Sequence, residues 1–357
     1  MNDLSKYMQR ALDLAGLGIG KVSPNPMVGC VIVHRQKIVG EGWHQHYGGP
    51  HAEVNAIKSV DDPEVLASST LFVNLEPCAH YGKTPPCTEL IITSGIKKVV
   101  IANIDPNPMV AGKGVEQLRK SGIEVIEGVL RERGEFLNRR FFTGHRQHRP
   151  YIILKWAETA DGFIARTDFD SKWISNECSR QLVHQYRTQE DAVLVGRNTA
   201  QYDDPELTVR HWEGRNPIRI VLGPNLVLSN KLKLFDGSVL TLCYNHVSNK
   251  DEDKLKYIKS PKEGFLEFIW DDLFKRNIQS VMVEGGSKLL NSLIKENYWD
   301  EARVFTASKE FGEGINAPVI STGHHEERII SGDLLKIYFN SDMAHLHITS
   351  SDLGLGL

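Results

Sequence analysis

The sequence lacks the features that would bring this chain to a membrane. Nowhere in its 357 residues is there an apolar run of the roughly 18 residues that a bilayer-spanning helix requires. Its first residues, 1–6, contain no apolar stretch of the kind found in secretory signals. We therefore expect no membrane partner and a cytoplasmic location.

The sequence also lacks a long basic run. It has 42 Lys and Arg against 45 Asp and Glu, and its net charge is −3. A nucleic-acid groove needs a positively charged stripe. We therefore expect no nucleic-acid partner and a small molecule as substrate.

Cysteine is scarce and odd in number, with five residues in the whole chain. Five scattered cysteines do not suggest a disulfide framework and suit a reducing compartment. Two of them, Cys78 and Cys87, belong to a motif that carries chemistry.

That motif begins with His51-Ala-Glu53 and continues with Pro77-Cys78 and Cys87. One imidazole and two thiolates with an open fourth position are typical of a catalytic zinc site. Zinc lowers the pKa of a bound water molecule to roughly 7. Glu53 is close enough to carry protons between that water and a leaving amine, as in zinc deaminases of nucleobases. Eight residues separate the cysteines, where the general signature is Cys-x-x-Cys.

The first half alternates strands and helices, which predicts a sheet covered by helices on both faces. We predict strands at 28–33, 37–43, 70–74, 98–103 and 124–127, and helices at 4–17, 51–59, 115–120 and 131–142. Another helix should begin after Pro85-Pro86 and contain Cys87. Helix starts favour thiolate over thiol.

The polar, basic segment 144–150 is the best linker, and it predicts two domains, 1–146 and 147–357. The second half again indicates an α/β fold with a large sheet. Its predicted strands are 151–154, 192–195, 218–222, 239–244, 281–283, 301–306, 334–339 and 345–349, and its predicted helices are 179–189 and 289–295.

A second candidate site is Gly285-Gly286-Ser287, between a predicted strand and a predicted helix. Such a junction lets free amides meet a phosphate, although Gly-Gly turns before helices are equally common without a ligand. It is not Gly-x-Gly-x-x-Gly, so a dinucleotide-binding Rossmann unit is not indicated. The residues alone predict only a phosphorylated ligand here.

Several runs of residues form one recognisable set, namely 24–29, 51–56 and 75–87 in the first half, and Asp161-Gly162, Trp173-Ile174, 203–210 and 283–286 in the second. Together they resemble the bifunctional riboflavin-biosynthesis deaminase–reductase family. The eight-residue gap between cysteines is what this family has.

The resemblance implies an α/β protein with a cytidine-deaminase-like three-layer α/β/α domain followed by a dihydrofolate-reductase-like α/β domain. The first domain would deaminate 2,5-diamino-6-ribosylamino-4(3H)-pyrimidinone 5′-phosphate with Zn²⁺. The second would use NADPH to reduce the ribosyl chain, giving 5-amino-6-ribitylaminouracil 5′-phosphate. We also expect a homo-oligomer, a dimer or a tetramer.

The matches imply a role for each site residue. Zinc ligands are His51, Cys78 and Cys87, and Glu53 is the catalytic proton carrier. Substrate positions are Asn25, His80 and Lys83 in the first half, and Ser171, Arg187, Leu207, Arg210 and Glu284 in the second. Cofactor positions are Ala157, Trp173, Thr199, Asp203, Gly286, Ser287, Lys288, Leu289, Leu290, Asn291 and Ser292. Candidates for proton chemistry near the sugar are Lys155, Asp203 and Glu284.

The chain departs from the family pattern at two places near the expected cofactor cleft. Leu222-Gly223 stands where relatives often have Asp, and Glu158-Thr159-Ala160 replaces an apolar-Ser-Leu stretch.

Two alternatives compete with this reading. A deaminase acting on a base in nucleic acid would show salt-sensitive RNA binding, which the net charge of −3 disfavours. A non-catalytic ligand sensor or scaffold is disfavoured by the intact zinc motif in the first half and stays open for the second.

Overall fold

The computed structural model describes residues 3–81, 85–108, 110–171 and 174–340. These residues divide into two compact units, between Gln147 and His148. Each unit contains its own sheet with helices, so the predicted α/β class is confirmed. In the described part of the chain, every helix is too short or too polar to cross a bilayer.

The first unit is built on a five-stranded sheet in the order β2-β1-β3-β4-β5. Its strands are β1 Gly29–His34, β2 Lys37–Trp43, β3 Thr70–Leu75, β4 Lys98–Asn103 and β5 Glu124–Ile126. Its helices are α1 Asp3–Gly16, α2 Ala52–Lys58, α3 Cys87–Thr93, α4 Lys113–Lys120, α5 Arg131–Leu137 and α6 Arg139–Gln147, with a 3₁₀ turn at Pro63–Ser68. β1 is antiparallel to both neighbours, whereas β3, β4 and β5 are parallel.

Alternation along β1 explains why helices cover both faces of this sheet. Cys30 and Ile32 pack into one core with residues of α2, α3 and α4. Val31 and Val33 pack into another with residues of α1 and with Leu137 of α5. The first unit therefore has the three layers that the sequence predicts.

The region predicted as one helix, 131–142, is two helices that meet at Asn138. Asn138 is buried, and its amide pairs with the main chain of Met27, accepting from its N–H and donating to its C=O at 2.8 Å each. The second helix continues to Gln147, so the first half of the predicted linker is helical.

The second unit is built on a ten-stranded sheet in the order β11-β12-β10-β9-β8-β13-β6-β14-β17-β16. Its strands are β6 Tyr151–Glu158, β7 Phe163–Ala165, β8 Ala192–Gly196, β9 Ile218–Leu222, β10 Thr241–Asn245, β11 Lys250–Glu252, β12 Leu255–Lys259, β13 Ser280–Val283, β14 Glu301–Thr306, β15 Ile315–Asn316, β16 Glu326–Ile330 and β17 Asp333–Phe339. Its helices are α7 Glu177–Gln189, α8 Arg197–Asp203, α9 Phe265–Lys275 and α10 Ser287–Lys295, with a 3₁₀ turn at Lys233–Phe235. β7 and β15 form a separate pair.

The middle of this sheet is parallel, which gathers the carboxyl ends of its strands at one edge. β6 pairs in parallel with β13, which pairs in parallel with β8. Several elements of the second unit were not predicted from the sequence, and helix α9 is one of them. Its core residues Leu266, Ile269, Trp270 and Leu273 nevertheless have helical spacing. The predicted strand 345–349 lies outside the described residues.

Candidate functional site

The first unit brings His51, Cys78 and Cys87 together. His51 immediately precedes α2, Cys87 begins α3, and Cys78 follows β3 in a loop. His51 Nδ1 lies 3.2 Å from Cys87 Sγ and 3.6 Å from Cys78 Sγ. All three ligand atoms lie within 4.8 Å of one another.

The donor set fits zinc in both spacing and charge. Zinc–nitrogen and zinc–sulfur bonds of about 2.0 and 2.3 Å place tetrahedral ligand atoms roughly 3.6 Å apart. A hydrogen bond with Cys87 lowers the pKa of Cys78 to about 4, whereas the bond with Cys78, followed by burial, raises the pKa of Cys87. By themselves the two sulfurs therefore share one proton, and a divalent cation bound here would compensate the charge of both thiolates.

Glu53 lies in the first turn of α2 beside this cluster. Its side chain is only 3% exposed. Burial raises the pKa of Glu53 to about 7, and the negative charge of Cys78 acts in the same direction. A buried carboxyl group next to three metal-type ligands is the arrangement expected of a proton carrier.

Asn25 is held by His44, a residue outside the sequence motifs. His44 Nδ1 lies 3.0 Å from the carbonyl oxygen of Pro50, and a carbonyl only accepts, so Nδ1 carries a proton. Nε2 then accepts from Asn25 Nδ2 at 3.1 Å. This leaves Asn25 Oδ1 turned away from His44. The ring of His44 also meets His51 edge-on, with centroids 5.8 Å apart.

The two other predicted substrate residues of this unit, His80 and Lys83, lie between the ligands Cys78 and Cys87 in the sequence. His80 is exposed and lines a separate cavity of about 380 Å³ with Lys113 and Lys120 of α4. Lys83 lies outside the described residues.

Glu76 organises the loop next to the ligand Cys78. Its buried carboxylate accepts four main-chain N–H groups at 2.8–3.1 Å, those of Asp105, Gly112, Gly114 and Val115. A Cβ at Gly114 would collide with the carbonyl oxygen of Pro77. The Pro-Cys segment therefore packs directly against the start of α4.

The second unit contains a cavity of about 710 Å³ at the carboxyl ends of β6, β8 and β13. Most of the predicted residues of this unit line it, namely Lys155, Ala157, Ser171, Arg187, Thr199, Asp203, Leu207, Arg210, Glu284, Gly286, Ser287, Lys288 and Leu289. Trp173 lies outside the described residues.

Three predicted cofactor residues, further along α10, do not line this cavity. Leu290 is fully buried in the hydrophobic core. Asn291 donates to the carbonyl oxygen of Ser287, and Ser292 donates to Glu296. These side chains shape α10 itself, and only its first turn borders the cavity.

Strand pairing places Lys155 and Glu284 side by side, because Leu154 of β6 pairs with Val283 of β13. Lys155 Nζ lies 3.8 Å from Glu284 Oε2. Arg187 of α7 binds the same carboxylate through two hydrogen bonds, of 2.7 and 3.0 Å. A carboxylate between two cations is thus at the centre of the cavity wall.

These cations decide the charge of Glu284. Burial raises its pKa, but Arg187 and then Lys155 outweigh burial and lower the pKa to about 2. Burial also lowers the pKa of Lys155, which Glu284 partly opposes. Near neutral pH, Glu284 is therefore an anion without a proton to give.

The mouth of the cavity carries two aromatic residues that the sequence reading misses. Phe169 and Tyr202 stack with centroids 4.5 Å apart and an interplanar angle of 5°. Both are exposed and both line the cavity. Ser171 is two residues after Phe169, and Asp203 is next to Tyr202. The Ser171 hydroxyl donates a hydrogen bond to Asp203 at 3.0 Å.

The cavity also fits a phosphate-bearing cofactor at Gly286. This residue immediately precedes α10, whose first turn provides main-chain amides and lines the cavity. Because Gly285 and Gly286 have no side chains, a phosphate group can approach the main chain at the start of α10. A Cβ at Gly285 would lie only 3.0 Å from Leu289.

Two protein-family models match the chain. The cytidine and deoxycytidylate deaminase zinc-binding region matches residues 1–103, and the RibD C-terminal domain matches residues 150–338. The first match contains His51, Cys78 and Cys87, and the second contains the cavity of the second unit.

Curated relatives match across most of the chain. The riboflavin biosynthesis protein RibD of Aquifex aeolicus is 45% identical over 316 residues, covering 87% of this chain and 88% of that protein. RibD of Bacillus amyloliquefaciens is 38% identical over 353 residues, covering 96% and 91%.

A solved structure is similar over both units. It is the diaminohydroxyphosphoribosylaminopyrimidine deaminase/5-amino-6-(5-phosphoribosylamino)uracil reductase of Thermotoga maritima, which is 40% identical with a TM-score of 0.85. The match covers 94% of this chain and 98% of that one. The predicted family is confirmed: the chain belongs to the RibD family of riboflavin biosynthesis proteins, which join a zinc-binding deaminase domain to a reductase domain.

Proposed function

We propose that this chain deaminates 2,5-diamino-6-ribosylamino-4(3H)-pyrimidinone 5′-phosphate and then reduces its ribosyl chain with NADPH to give 5-amino-6-ribitylaminouracil 5′-phosphate. Residues 1–146 are the deaminase domain and residues 147–357 the reductase domain. The observation that carries the proposal is the cluster of His51, Cys78 and Cys87 beside the buried carboxyl group of Glu53.

In the deaminase domain, His51, Cys78 and Cys87 would hold zinc, which supplies a Lewis acid that makes water nucleophilic at neutral pH. Glu53 takes a proton from the water that attacks the amine-bearing carbon. It returns a proton to the amino group as the C–N bond breaks and ammonia leaves. Proton transfer of this kind typically contributes about 10²–10⁴-fold to a rate.

Substrate in this domain is bound by Asn25, His80 and Lys83. The contact between Asn25 and His44 supports a role for Asn25 as a hydrogen-bond acceptor. Its amide nitrogen faces His44, and its amide oxygen therefore points away from His44. An acceptor there suits an N–H or O–H donor on the substrate.

In the reductase domain, bound NADPH would supply hydride to the sugar carbon C1′, and the protein would supply the accompanying proton. Among the candidates, Lys155 carries that proton, because Glu284 is held ionised by Arg187 and Lys155. Glu284 keeps Lys155 in place at 3.8 Å. Asp203, which accepts from Ser171, borders the same cavity.

The remaining cavity residues bind the two ligands. Substrate contacts Ser171, Arg187, Leu207, Arg210 and Glu284. NADPH would contact Ala157, Trp173, Thr199, Asp203 and the segment from Gly286 to Leu289, the part of α10 that borders the cavity. The main-chain amides at the start of α10 receive a cofactor phosphate.

We place the enzyme in the cytoplasm as a homo-oligomer, a dimer or a tetramer. The cytoplasmic assignment is supported by the cysteines, because all five are free thiols and the two in the cluster would bind zinc in the reduced form.

The proposal is tested with Glu53→Gln, which keeps the size of the side chain and removes its proton exchange. We expect the variant to retain about one zinc per chain while ammonia release from the diaminopyrimidine falls by at least about 10²-fold. NADPH oxidation with the deaminated pyrimidine should continue at the wild-type rate.

Exposed Glu64→Gln is the matched control and should preserve both activities. Near wild-type deamination by Glu53→Gln would contradict the role of Glu53. A wild-type protein that binds no zinc under reducing conditions would contradict the deaminase assignment.

A further inference from the structure

His184 lines the reductase cavity but is not one of the predicted substrate, cofactor or proton-transfer residues. It lies on the same face of α7 as Arg180, Val183 and Arg187, at positions separated by three or four residues, and all four line the cavity. Its side chain is 5% exposed. A nearly buried imidazole at a ligand cavity raises the question of which ring nitrogen faces the ligand.

A hydrogen bond from the main chain of Arg210 determines which nitrogen of His184 carries the proton. The Arg210 N–H points at His184 Nδ1, with nitrogen atoms 3.3 Å apart. A main-chain N–H only donates, so Nδ1 accepts and carries no proton. In the neutral ring the proton is therefore on Nε2, and within the described part of the chain Nε2 has no hydrogen-bond partner.

The surroundings keep the ring neutral. The groups acting on His184 are Arg187, Arg210, His211 and Glu284. Burial, followed by the two arginines and His211, lowers the pKa of His184 to about 4, and Glu284 opposes this only weakly. His184 is therefore an uncharged hydrogen-bond donor near neutral pH.

A bound anion would require hydrogen-bond donors besides Arg187, because the guanidinium of Arg187 already binds groups of the protein. Its Nε and Nη2 bind Glu284, and its Nη1 binds the carbonyl oxygen of Thr208 at 3.0 Å. Much of its hydrogen-bonding capacity is thus used within the protein. Arg210 also binds Glu206, at 2.7 Å, so an incoming anion meets two arginines that already have carboxylate partners.

We propose that His184 is a substrate-binding residue of the reductase site, donating its Nε2–H to the phosphate of the substrate beside Arg210. The inference rests on the proposed reductase function. It adds a neutral donor that recognises the phosphate without adding charge next to Glu284.

Two substitutions distinguish the role of Nδ1, the acceptor, from the role of Nε2, the donor. His184→Asn retains an acceptor for the Arg210 N–H but removes the donor at the far end. His184→Gln places an amide N–H near the position of Nε2. We compare KM and kcat for the deaminated pyrimidine at saturating NADPH, together with competitive inhibition by inorganic phosphate.

For His184→Asn we expect KM to rise by at least about tenfold, the usual scale for one hydrogen bond to a charged group, with kcat nearly unchanged. The inhibition constant of inorganic phosphate should rise by the same factor. His184→Gln should restore both values to within about twofold of wild type. Quenching of tryptophan fluorescence by NADPH checks that each variant is folded.

The opposite pattern, a normal His184→Asn and an impaired His184→Gln, would show that His184 only anchors the main chain at Arg210. A raised KM with unchanged inhibition by phosphate would overturn the phosphate assignment. A wild-type protein that does not oxidise NADPH with this substrate would overturn the proposed function itself, and this is seen before any variant is compared.

Discussion

At the scale of single residues, Glu284 shows how two cations keep a buried carboxyl group ionised. Its side chain is 12% exposed, yet Arg187 and Lys155 lower its pKa to about 2. A carboxyl group whose pKa is lower in the folded than in the unfolded protein stabilises the fold above its unfolded pKa of about 4.3. That contribution is lost as the pH falls towards 2.

This predicts an acid-dependent difference between wild type and Glu284→Gln. Between about pH 5 and pH 3, the free energy of unfolding of the second unit should fall about 2 kcal/mol further in wild type than in the variant. Urea titrations followed by tryptophan fluorescence measure this, because five of the six tryptophans lie beyond residue 148. Exposed Glu263→Gln is the control, and an equal acid dependence in Glu284→Gln would refute the ionised assignment.

At the scale of secondary structure, α7 carries both Arg187 and His184 and is fixed at its start. Asn176 caps it, accepting from the N–H of Ser179 at 2.9 Å. The Asn176 amide also donates to the carbonyl oxygen of Ile330 at 2.7 Å. Asp333 of β17 accepts from the Ser179 hydroxyl, at 2.7 Å. The cap therefore ties the helix to β16 and β17.

Removing this cap should destabilise the second unit. Asn176→Ala loses the cap and the bond to Ile330, and we expect its free energy of unfolding to fall by about 1–2 kcal/mol. Asn176→Ser keeps a capping oxygen and should lose less. The midpoint of urea unfolding measures both. Equal midpoints for wild type and Asn176→Ala would show that α7 is held by its apolar contacts alone.

At the scale of the whole molecule, each unit has its own sheet and its own candidate site. The ligand cluster lies within the described residues up to Gln147, and the cavity lies within those from His148 onward. The described residues of each candidate site therefore come from a single unit.

This organisation predicts that two inactive variants complement each other in solution. Glu53→Gln and Lys155→Met should each fail to convert the diaminopyrimidine to the ribityl product. An equimolar mixture with NADPH should form it, since Lys155→Met releases deaminated substrate that Glu53→Gln reduces. Chromatography of the products measures this; absence of the final product from the mixture would show that the intermediate is not released.

The sequence by itself determined the zinc motif and the α/β class. His51 and Glu53 are two residues apart, and the cysteines flank one loop, so short spacing and apolar patterning carry the information. The break at Asn138 was not predictable in this way, because its partner Met27 is 111 residues away.

Only the tertiary structure decided the electrostatics of the second site. Arg187 and Glu284 are 97 residues apart, and parallel pairing of β6 with β13 brings Lys155 to the same carboxylate. A pKa depends on burial and on charges brought near by folding, neither of which is written in local sequence. The same reason hides His184, whose tautomer is set by a main-chain N–H 26 residues away.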